Sequence, residues 1–551
     1  MMSDEIVPHY HHARKLSSGI ARGPDRSGVG QQLYFLLSSF EFSMYNRTGR
    51  LTVSITFPEE STMTLYVTAG FLWLPVSRTS PTVKLHFFSD GTKFQEMDIR
   101  LNTEQPEYYA AMDVHRYIGR TIDVRGGLPD DRVAKLFFRD EFPDTDDPFR
   151  PRIHFSSPAG WINDPNGLVF ADGVWHLYHQ WNPFGTEWGN MHWGHAVSRD
   201  LITWKHHGLA LEPDVFGTVF SGCCWQDCRN DAGFGKNALL FFYTAAGGCS
   251  HWSANAGNPF AQRLAVSVDN GKTLQKKKTI LTHIKGENRD PKVFYHQESK
   301  AYIMILFLDE YDFAVFRSRD LIHWEESQRF SVPEMRECPD LFELPVVNEQ
   351  NQKKWVFWSA DGYYLVGRFD GFRFAPESDV LPAYDTDLPY AAQTYAGVTD
   401  RIISVAWLRT ENDRGNFRGM MSVPSELSLV RQEGICRMRF RPVTEVWNRF
   451  TKSEEYSAES GSLVIHAAGE PLLMKTSWKP CNIKEVSAGG KTLNIRSNSN
   501  EILFIMDHGI TEYWADDGLR YGAVEMDEKA LSGQISLGTG ICRAEVYRFH
   551  K

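Results

Sequence analysis

The sequence predicts an all-β fold: a five-bladed β-propeller flanked by an N-terminal β-sandwich and a short C-terminal β-sandwich. Apolar and polar residues alternate along both ends of the chain, as in strands that bury one face. Short apolar strands recur through the middle, where a sequence repeat returns with a period of about sixty residues. Repeated β-sheet units of that size are typical of propeller blades.

The chain length also requires several domains, because 551 residues exceed what one hydrophobic core usually supports. We predict a polar tail, an N-terminal sandwich, a linker, the propeller and a C-terminal sandwich over residues 1–30, 31–140, 141–150, 151–445 and 446–551. The linker is short, acidic and contains proline, which is typical of a domain boundary.

Alternation predicts the two flanking sandwiches. It is clear in Leu51–Phe57 and Val83–Phe88 near the N-terminus, where Ser89-Asp90-Gly91 then predicts a turn. It returns in Ile502–Gly518 near the C-terminus. We expect the C-terminal sandwich to be a scaffold rather than a second sugar site.

The repeat in the middle is explicit. Ser198–Trp204 (SRDLITW) returns as Ser318–Trp324 (SRDLIHW), and a related Ser267–Gly271 (SVDNG) lies between them. The strands predicted within this region include Trp175–His179, Leu239–Tyr243, Ala301–Phe307 and Trp355–Trp358. A generic large β-sandwich would not explain why acids recur at strand starts in successive repeats.

Composition excludes several classes of partner. A net charge of -10 and a pI near 6.0 argue against nucleic acid, because no basic patch is present to neutralise phosphates. The sequence contains no run of about eighteen apolar residues, so it predicts no membrane-spanning helix. Aromatic residues make up 13% of the chain, which suits sugar rings as well as a β-rich core.

The first thirty residues are polar and contain no apolar leader segment, so we expect a cytoplasmic protein; a secreted mature form is the alternative. The eight cysteines are scattered, which favours reduced thiols over a disulfide framework. Cys224 and Cys228 have no second ligand pair nearby, so we expect no zinc site.

Three acidic motifs follow one another through the repeat region. In Trp161–Gly167 (WINDPNG), Pro165 fixes its own φ and Asn166-Gly167 favours a tight turn. We therefore expect Asp164 to be held before the strand Leu168–Phe170, although this stretch alone fits an ordinary turn equally well. The other two motifs are Arg289-Asp290-Pro291 and Glu337-Cys338-Pro339-Asp340.

In this order the three motifs resemble glycoside hydrolase family 32, which includes invertases, inulinases and levanases. Other segments resemble blocks of the same family in the same order: Asn182–Gly185, Trp188–His195, Phe220–Gly222, Tyr390–Tyr395 and Ser422–Leu427. The resemblance covers about residues 150 to 430. It implies a five-bladed propeller and two catalytic carboxyl groups.

The resemblance assigns catalytic roles that suit the chemistry of these residues. Retaining hydrolysis needs one carboxylate to attack the anomeric carbon and a second carboxyl group to protonate the leaving oxygen, about 5 to 5.5 Å away. Asp164 is the expected nucleophile, because turn amides and Asn163 can keep it ionised. Glu337 is the expected acid/base, because like charge and partial burial should raise its pKa.

Asp290 takes neither of these two catalytic roles, and we expect it to bind the substrate. Beside Arg289, it can accept hydrogen bonds from two adjacent hydroxyls, as the resemblance implies for a terminal fructosyl unit. The alternative is an ion pair that closes a turn.

The resemblance also implies a pocket for the terminal sugar, formed by Asn163, Gln180, Trp188, Phe220, Ser221, Arg289 and Trp407. The polar members can supply directed hydrogen bonds and the tryptophans can supply apolar walls. Trp407 taken alone is more typical of a core position, and only its motif context makes a pocket position equally reasonable. We expect His192 and His195 to be structural rather than metal ligands, and we expect no cofactor or metal.

We therefore predict a retaining glycoside hydrolase that releases fructose from the non-reducing ends of β-fructans, fructo-oligosaccharides and sucrose through a covalent fructosyl-enzyme intermediate. A fructosyltransferase on the same scaffold is the closest alternative, because a sugar can intercept the same intermediate. A non-catalytic fructan-binding protein is a third reading, which the intact acidic trio argues against.

Two features depart from the family pattern. An additional sandwich precedes the propeller. The segment Tyr384–Tyr390 is only loosely similar to the family, so the resemblance implies no preferred chain length of the substrate. We expect the N-terminal sandwich to pack on the propeller or on a neighbouring subunit and to shape access to the pocket. A homo-oligomer formed through this domain is a related expectation.

Overall fold

A computed structural model describes residues 39–46, 49–56, 61–102, 104–127, 136–142, 150–411, 415–458, 462–467, 469–481, 483–526 and 533–550. The predicted polar tail and most of the predicted linker, residues 143–149, lie outside these ranges. The described chain is all-β apart from short helical turns, and none of its helices is long and apolar enough to cross a membrane.

The chain divides into two compact units, Met1–Glu59 and Glu60–Lys551. The strands described in the first unit, β1 (Ser39–Asn46) and β2 (Gly49–Thr56), form an antiparallel pair. All strands described below belong to the second unit.

Two sheets at the start of the second unit enclose one hydrophobic core. Their orders are β3-β8-β5-β6 and β7-β4-β9. The strands are β3 (Ser61–Tyr66), β4 (Phe71–Val76), β5 (Val83–Ser89), β6 (Thr92–Ile99), β7 (Tyr108–Asp113), β8 (Thr121–Gly126) and β9 (Phe137–Arg139). Alternation places Leu72, Leu85 and Met112 in this core, and Phe184 from the following region completes it.

Five consecutive antiparallel sheets follow within the described residues. The first has the order β13-β12-β11-β10-β29 and contains β10 (Gly160–Ala171), β11 (Val174–Asn182), β12 (His192–Ser198), β13 (Trp204–Leu211) and β29 (Phe417–Arg418). The second contains β14 (Thr218–Asp227), β15 (Ala238–Ala246), β16 (Ala261–Ser267) and β17 (Gln275–Leu281), with helix α1 (His251–Asn255) between β15 and β16.

The third sheet contains β18 (Arg289–His296), β19 (Ala301–Asp309), β20 (Asp312–Ser318) and β21 (Glu325–Ser331). The fourth contains β22 (Asp340–Pro345), β23 (Lys353–Trp358), β24 (Tyr363–Phe369), β25 (Phe374–Pro376) and β26 (Leu381–Pro382). The fifth contains β27 (Pro389–Thr394), β28 (Ile402–Leu408), β30 (Met420–Met421), β31 (Ser425–Gln432) and β32 (Ile435–Pro442). Helix α2 (Thr444–Trp447) comes next.

The sequence repeat corresponds to one recurring turn between the third and fourth strands of the first three sheets. In each copy an aspartate accepts a hydrogen bond from a backbone N–H three or four residues ahead, at 2.7 to 3.0 Å, and the serine two residues before it also contacts the aspartate. The three aspartates are Asp200, Asp269 and Asp320. The repeat therefore encodes the turn that begins each fourth strand.

The first strands of the five sheets are connected to one another. The Asn166 carboxamide on β10 accepts from Gly222 N on β14 at 2.9 Å, and Lys292 on β18 lies 3.0 Å from Asp340 on β22. Asp340 in turn accepts from the backbone N–H of Thr394 on β27 at 2.9 Å. Strand β29, from late in the chain, pairs in parallel with β10 and joins the end of this region to its start.

The last sheets also enclose one core. Their orders are β33-β42-β35-β38-β39-β40 and β34-β41-β36-β37. The strands are β33 (Phe450–Ser457), β34 (Leu463–His466), β35 (Leu472–Trp478), β36 (Ile483–Ala488), β37 (Lys491–Arg496), β38 (Glu501–Asp507), β39 (Ile510–Ala515), β40 (Arg520–Glu525), β41 (Gln534–Leu537) and β42 (Ile541–Phe549). Leu472, Val486 and Phe504 lie in the core between them.

One local prediction is wrong. Asn166-Gly167 does not form a tight hairpin turn but lies inside β10, where Gly167 has a φ of +53° and the pairing with β11 is irregular. The Asn166 side chain instead joins two sheets, because it donates to the Asp164 carbonyl at 3.1 Å and accepts from Gly222.

Candidate active site

Four of the predicted site residues, Asn163, Asp164, Ser221 and Asp290, lie at irregularities in the first strands. The pairing of β10 with β11 shifts between Ile162 and Pro165, at Asn163 and Asp164. The equivalent shifts in β14 and β18 occur at Ser221 and at Asp290. Such bulges re-aim side chains out of the regular ladder, so the irregularities turn these residues toward the shared centre of the sheets.

Two of the acids also have left-handed backbone conformations. Asp290 has a φ of +65°, Glu337 one of +34° and Cys338 one of +42°. Non-glycine residues adopt such angles when surrounding contacts hold them there. Asp290 N donates to Thr244 Oγ1 at 3.0 Å, and Ala360 N donates to the Glu337 carbonyl at 3.0 Å.

Asp164 is surrounded by short polar side chains. Ser221 Oγ donates to Asp164 Oδ2 at 2.5 Å, and Asn163 Nδ2 donates to Oδ1 at 3.2 Å. The Cys338 thiol lies 3.4 Å from Oδ2. These donors orient the carboxylate at the shared centre.

Cys338 links Asp164 to the second acid. Its backbone N–H donates to Asp290 Oδ2 at 3.0 Å, and its Sγ lies 3.5 Å from the same oxygen. Both aspartate carboxylates therefore lie within 3.5 Å of one sulfur atom. The sequence motif included Cys338 but did not predict this contact; a cysteine directly after a candidate acid was the available signal.

Glu337 is held by Arg289 and Tyr390. Arg289 Nη2 donates to Glu337 Oε2 at 2.9 Å, and the Tyr390 hydroxyl donates to Oε1. Arg289 Nε also lies 3.6 Å from Asp290 Oδ2, so one guanidinium serves two acids. Tyr390 is a second omission from the predicted site, although it begins the segment Tyr390–Tyr395 that carries the resemblance.

The pKa of Glu337 corrects the expectation from sequence. Burial acts to raise the pKa of Glu337, but the Arg289 guanidinium and the Tyr390 hydroxyl outweigh burial, so the pKa lies below its ordinary value. For Asp164, burial and the charge of Glu337 raise the pKa, despite the opposing hydrogen bonds from Ser221 and Asn163. The expected raised pKa of Glu337 is therefore wrong, because Arg289 pairs with this acid.

The pKa of Asp290 is raised into the neutral range. Burial and the charges of Glu337 and Asp164 raise the pKa of Asp290, and Arg289 lowers it. The net result is a pKa of about 7. Arg289 pairs with two of the three carboxyl groups, Asp290 and Glu337, and the titrations of all three acids are coupled. The cluster favours retaining a proton near neutral pH.

The predicted pocket residues surround this cluster. Gln180 Nε2 donates to Ser221 Oγ at 3.3 Å, and Trp161 Nε1 donates to Asn163 Oδ1 at 3.2 Å. Trp188 is 45% exposed, and its ring meets Phe220 edge to face with centres 6.0 Å apart. These contacts bring Gln180, Ser221 and Phe220 together on the Asp164 side.

Trp407 packs against Tyr390, which donates to Glu337, and against Trp161, which donates to Asn163. Its ring is 6.2 Å from that of Tyr390 and 5.6 Å from that of Trp161, in both cases edge to face. Trp407 is half-buried, and its indole N–H is buried without a hydrogen-bond partner in the described residues. The Trp407 ring can therefore form an apolar wall of the pocket, and its indole N–H can donate a hydrogen bond to a ligand.

A polar cavity of about 230 Å³ adjoins Tyr390. It is lined by Asp361, Gly362, Tyr363, Pro382, Tyr384, Thr386, Asp387, Pro389, Tyr390 and Arg409. The Arg409 guanidinium lies 4.6 Å from the centre of the Tyr390 ring. The loosely similar segment Tyr384–Tyr390 thus forms much of the cavity wall beside Glu337.

The two candidate histidines are buried within the protein. His192 lies 3.0 Å from Gln95 Nε2, and His195 lies 3.1 Å from His176. Burial lowers the pKa of His192 to about 3, so its ring is neutral. No group of three or more potential metal-binding side chains occurs in the part of the chain that the structure describes.

Comparison with known proteins identifies the family. Residues 154–438, more than half of the chain, match the sequence model of the glycosyl hydrolases family 32 N-terminal domain. The chain belongs to glycosyl hydrolase family 32. The family 32 region contains all three acids and all the predicted pocket residues.

Two relatives illustrate the similarity of this family 32 protein to characterised sequences. It is 37% identical to a levanase from Bacillus subtilis over 393 residues, which is 65% of this chain and 56% of the levanase. It is 34% identical to an invertase from Debaryomyces hansenii over 292 residues, which is 49% of this chain and 54% of the invertase. The chain thus spans about half the length of these relatives.

Solved structures share the fold. An exo-inulinase from Aspergillus awamori superposes with a TM-score of 0.66 at 22% identity, covering 74% of this chain and 99% of the inulinase. A family 32 glycoside hydrolase from Bifidobacterium adolescentis has a TM-score of 0.62 at 18% identity, covering 89% of this chain and 99% of its own. These similarities establish the fold.

Proposed function

We propose that this protein is a retaining glycoside hydrolase that releases fructose from the non-reducing ends of β-fructans, fructo-oligosaccharides and sucrose. The observation that carries the proposal is the meeting of three acids from separate parts of the chain: Asp164 on β10 and Asp290 on β18, both close to the Cys338 thiol, and Glu337, from the segment before β22, paired with Arg289. The levanase and invertase relatives supply the substrate class.

We also propose that the five consecutive sheets are the blades of a five-bladed propeller. Their first strands are joined side by side, and β29 closes the series onto β10. In this proposal the domains are the N-terminal sandwich, the propeller and the C-terminal sandwich over residues 31–140, 151–445 and 446–551. The separate hydrophobic cores of the first and last sheet pairs support that division.

In the first chemical step, an Asp164 oxygen attacks the anomeric carbon of the terminal fructosyl unit. The bond from that carbon to the leaving oxygen breaks, and Glu337 gives its proton to that oxygen. The product is a fructosyl ester of Asp164 and a released alcohol. Ser221 and Asn163 orient the attacking carboxylate.

In the second step, ionised Glu337 takes a proton from water while the water oxygen attacks the anomeric carbon. The ester bond to Asp164 breaks, fructose leaves with retained configuration, and both acids return to their starting states. A sugar hydroxyl in place of water would give transfer. The ratio of hydrolysis to transfer therefore depends on which acceptor occupies the side next to Glu337.

Substrate binding can set the proton positions that this mechanism needs. In the free site, Arg289 lowers the pKa of Glu337, which opposes its role as an acid. A fructosyl unit bound by Asp290 and Arg289 would draw the guanidinium hydrogen bonds toward sugar oxygens. The pKa of Glu337 would then rise, because the strongest of the groups that oppose the effect of burial would be withdrawn.

Product analysis after incubation with sucrose, inulin and levan tests the proposal. We expect free fructose as the first product from at least one of the three. Larger oligosaccharides as the main product would instead identify a fructosyltransferase. Unchanged substrates together with measurable sugar binding would identify a non-catalytic binding protein.

A further inference from the structure

We propose that strand β6 of the N-terminal sheets is a positioning element for the sugar pocket. It contacts two loops of the family 32 region: the first rim loop, residues 183–191, and the second rim loop, residues 247–260. By fixing both loops, β6 sets the affinity for the terminal fructosyl unit. This inference rests on the proposed function.

The two rim loops meet at Phe220. Trp188 of the first rim loop and Phe260 of the second both pack edge to face on its ring, with centres 6.0 and 5.8 Å away. The next residue, Ser221, donates to the Asp164 carboxylate. A shift of either rim loop would therefore reach the pocket wall beside the proposed nucleophile.

Strand β6 clamps the first rim loop through paired hydrogen bonds. The backbone N–H of Asp98 donates to Asn190 Oδ1, and Asn190 Nδ2 donates to the Asp98 carbonyl, both at 2.8 Å. Arg100, directly after β6, forms an ion pair with Glu187 at 3.1 Å. These contacts lie on both sides of Trp188.

The first rim loop is also anchored by buried contacts. The Phe184 side chain is fully buried in the core of the N-terminal sheets. Gln95 of β6 lies 3.0 Å from His192, just after the loop, and both side chains are buried. A loop whose supports are buried and hydrogen-bonded keeps its aromatic side chain in one place.

Strand β6 holds the second rim loop through Glu96. The Glu96 carboxylate accepts from His251 N at 3.1 Å, at the start of α1, and Lys93 Nζ lies 5.2 Å from the centre of the Trp252 ring. The carboxylate is 5% exposed and is surrounded by cations, including Lys84 at 3.9 Å and Lys93. Such a buried charge is costly to build and fixes its partners in one arrangement.

The contacts of Glu96 explain its charge. Burial acts to raise the pKa of Glu96, but hydrogen bonds from His86 and Lys93 and the nearby lysine charges lower it to about 2. The support for α1 is therefore present throughout the neutral pH range.

Two point variants test the inference in the full chain. Asn190→Gly removes the clamp on the first rim loop while tolerating the left-handed backbone, where Asn190 has a φ of +44°. Glu96→Gln removes the charge that supports α1. We expect each to raise KM for sucrose about five-fold or more while kcat stays within about two-fold, because a binding surface is loosened and the reacting groups are untouched.

Two controls separate positioning from stability. Met112→Ala opens a space in the N-terminal core, which also holds Phe184, and should lower the melting temperature while raising KM less than either test variant does. Asp123→Asn changes an acid of β8 that accepts from Thr64 and lies 4.0 Å from Arg125, with neither partner in a rim loop, and should change neither quantity.

The result that overturns the inference is KM within about two-fold of wild type for both test variants, or an equal rise in KM for Met112→Ala. If the wild-type protein itself releases no fructose from sucrose, inulin or levan, the proposed function fails and this inference fails with it. Active wild-type protein with unaffected test variants overturns the role of β6 alone.

Discussion

The molecule contains two clusters of carboxylates that differ in burial and in their partners. The interface cluster, His154, Asp507 and Glu512, joins the start of the family 32 region to the C-terminal sheets. The acid cluster, Asp164, Asp290 and Glu337, lies where the first strands meet. The interface side chains are fully buried and matched by internal partners, whereas Asp164 and Glu337 are half-buried and Arg289 pairs with only two of the three acids.

In the interface cluster every acid has strong donors. His154 lies between Asp507 and Glu512 at 3.0 and 2.7 Å, and Asp507 Oδ2 also accepts from the backbone N–H groups of residues 152–154. The Tyr521 hydroxyl donates to Glu512 at 2.6 Å. Despite burial, these partners lower the pKa of Asp507 and raise that of His154 to about 9.

In the acid cluster the two aspartates have pKa shifts opposite in sign to that of Asp507, while Arg289 and Tyr390 lower the pKa of Glu337. Asp164 and Asp290 have raised pKa values, because burial and neighbouring acids outweigh their donors. A cluster matched by internal donors supports stability, whereas one with unmet capacity can accept substrate hydroxyls and exchange protons. The comparison therefore separates a structural role from a proposed catalytic one.

The largest expected effect comes from the two proposed catalytic acids. Asp164→Asn and Glu337→Gln should each lower kcat by about 10³-fold or more with the fold intact, because each removes one of two complementary roles. Initial rates of fructose release measure this. Azide should restore turnover of an activated fructoside to Glu337→Gln and not to Asp164→Asn; near wild-type turnover by either variant would contradict the assignment.

Substitutions in the interface cluster should lower the stability of the protein and leave its activity almost unchanged. His154→Ala leaves two buried acids without their cation and should cost about 3 to 5 kcal/mol of stability, while kcat measured below the melting transition stays within about two-fold. Thermal unfolding measures the loss. Removing the exposed ion pair between Lys353 and Glu343 is the control, and should cost about 1 kcal/mol or less.

The contribution of His154 to stability should depend on pH. The folded pKa of His154 is raised to about 9 from an ordinary value of 6.5, so its stabilising contribution is complete below pH 6.5 and is lost as the pH rises through 9. The loss should be on the order of 3 kcal/mol. Melting temperatures of wild type and His154→Gln should converge over this interval; a constant difference would refute the linkage.

A smaller effect is expected at Tyr390. Tyr390→Phe removes the hydroxyl that lowers the pKa of Glu337, so the alkaline limb of kcat/KM should move to higher pH, with a fall in rate of about ten-fold. The matched control is Tyr395→Phe, because the Tyr395 hydroxyl is buried without a hydrogen-bond partner in the described residues. An equal shift of the alkaline limb in Tyr395→Phe would show that Tyr390 has no specific effect on Glu337.

Local sequence patterns predicted much of this arrangement. Alternation and the SRDLITW repeat indicated the all-β class, and the repeat proved to encode a turn around Asp200 and its counterparts. The segments Trp175–His179, Leu239–Tyr243 and Ala301–Phe307 are strands, as predicted. The position of an acid beside proline identified Asp164 and Asp290, because those motifs produce local backbone irregularities.

Contacts between distant segments could not be predicted in this way. His154 and Asp507 are 353 residues apart in the chain, and Asp98 and Asn190 are 92 apart. The pKa of Glu337 was mispredicted for the same reason, because its partner Arg289 lies on another sheet. Such pairs depend on how sheets pack, which the periodicity of a single strand does not encode.

The most direct test of the central claim is mass spectrometry of Glu337→Gln after a brief reaction with an activated fructoside. Glu337→Gln should still form the ester when the leaving group needs no proton, but should hydrolyse it slowly. The account predicts a mass gain of one fructosyl unit on the peptide that contains Asp164. Fructosyl label on a different residue, or rapid product formation with inverted configuration and no label, would contradict it.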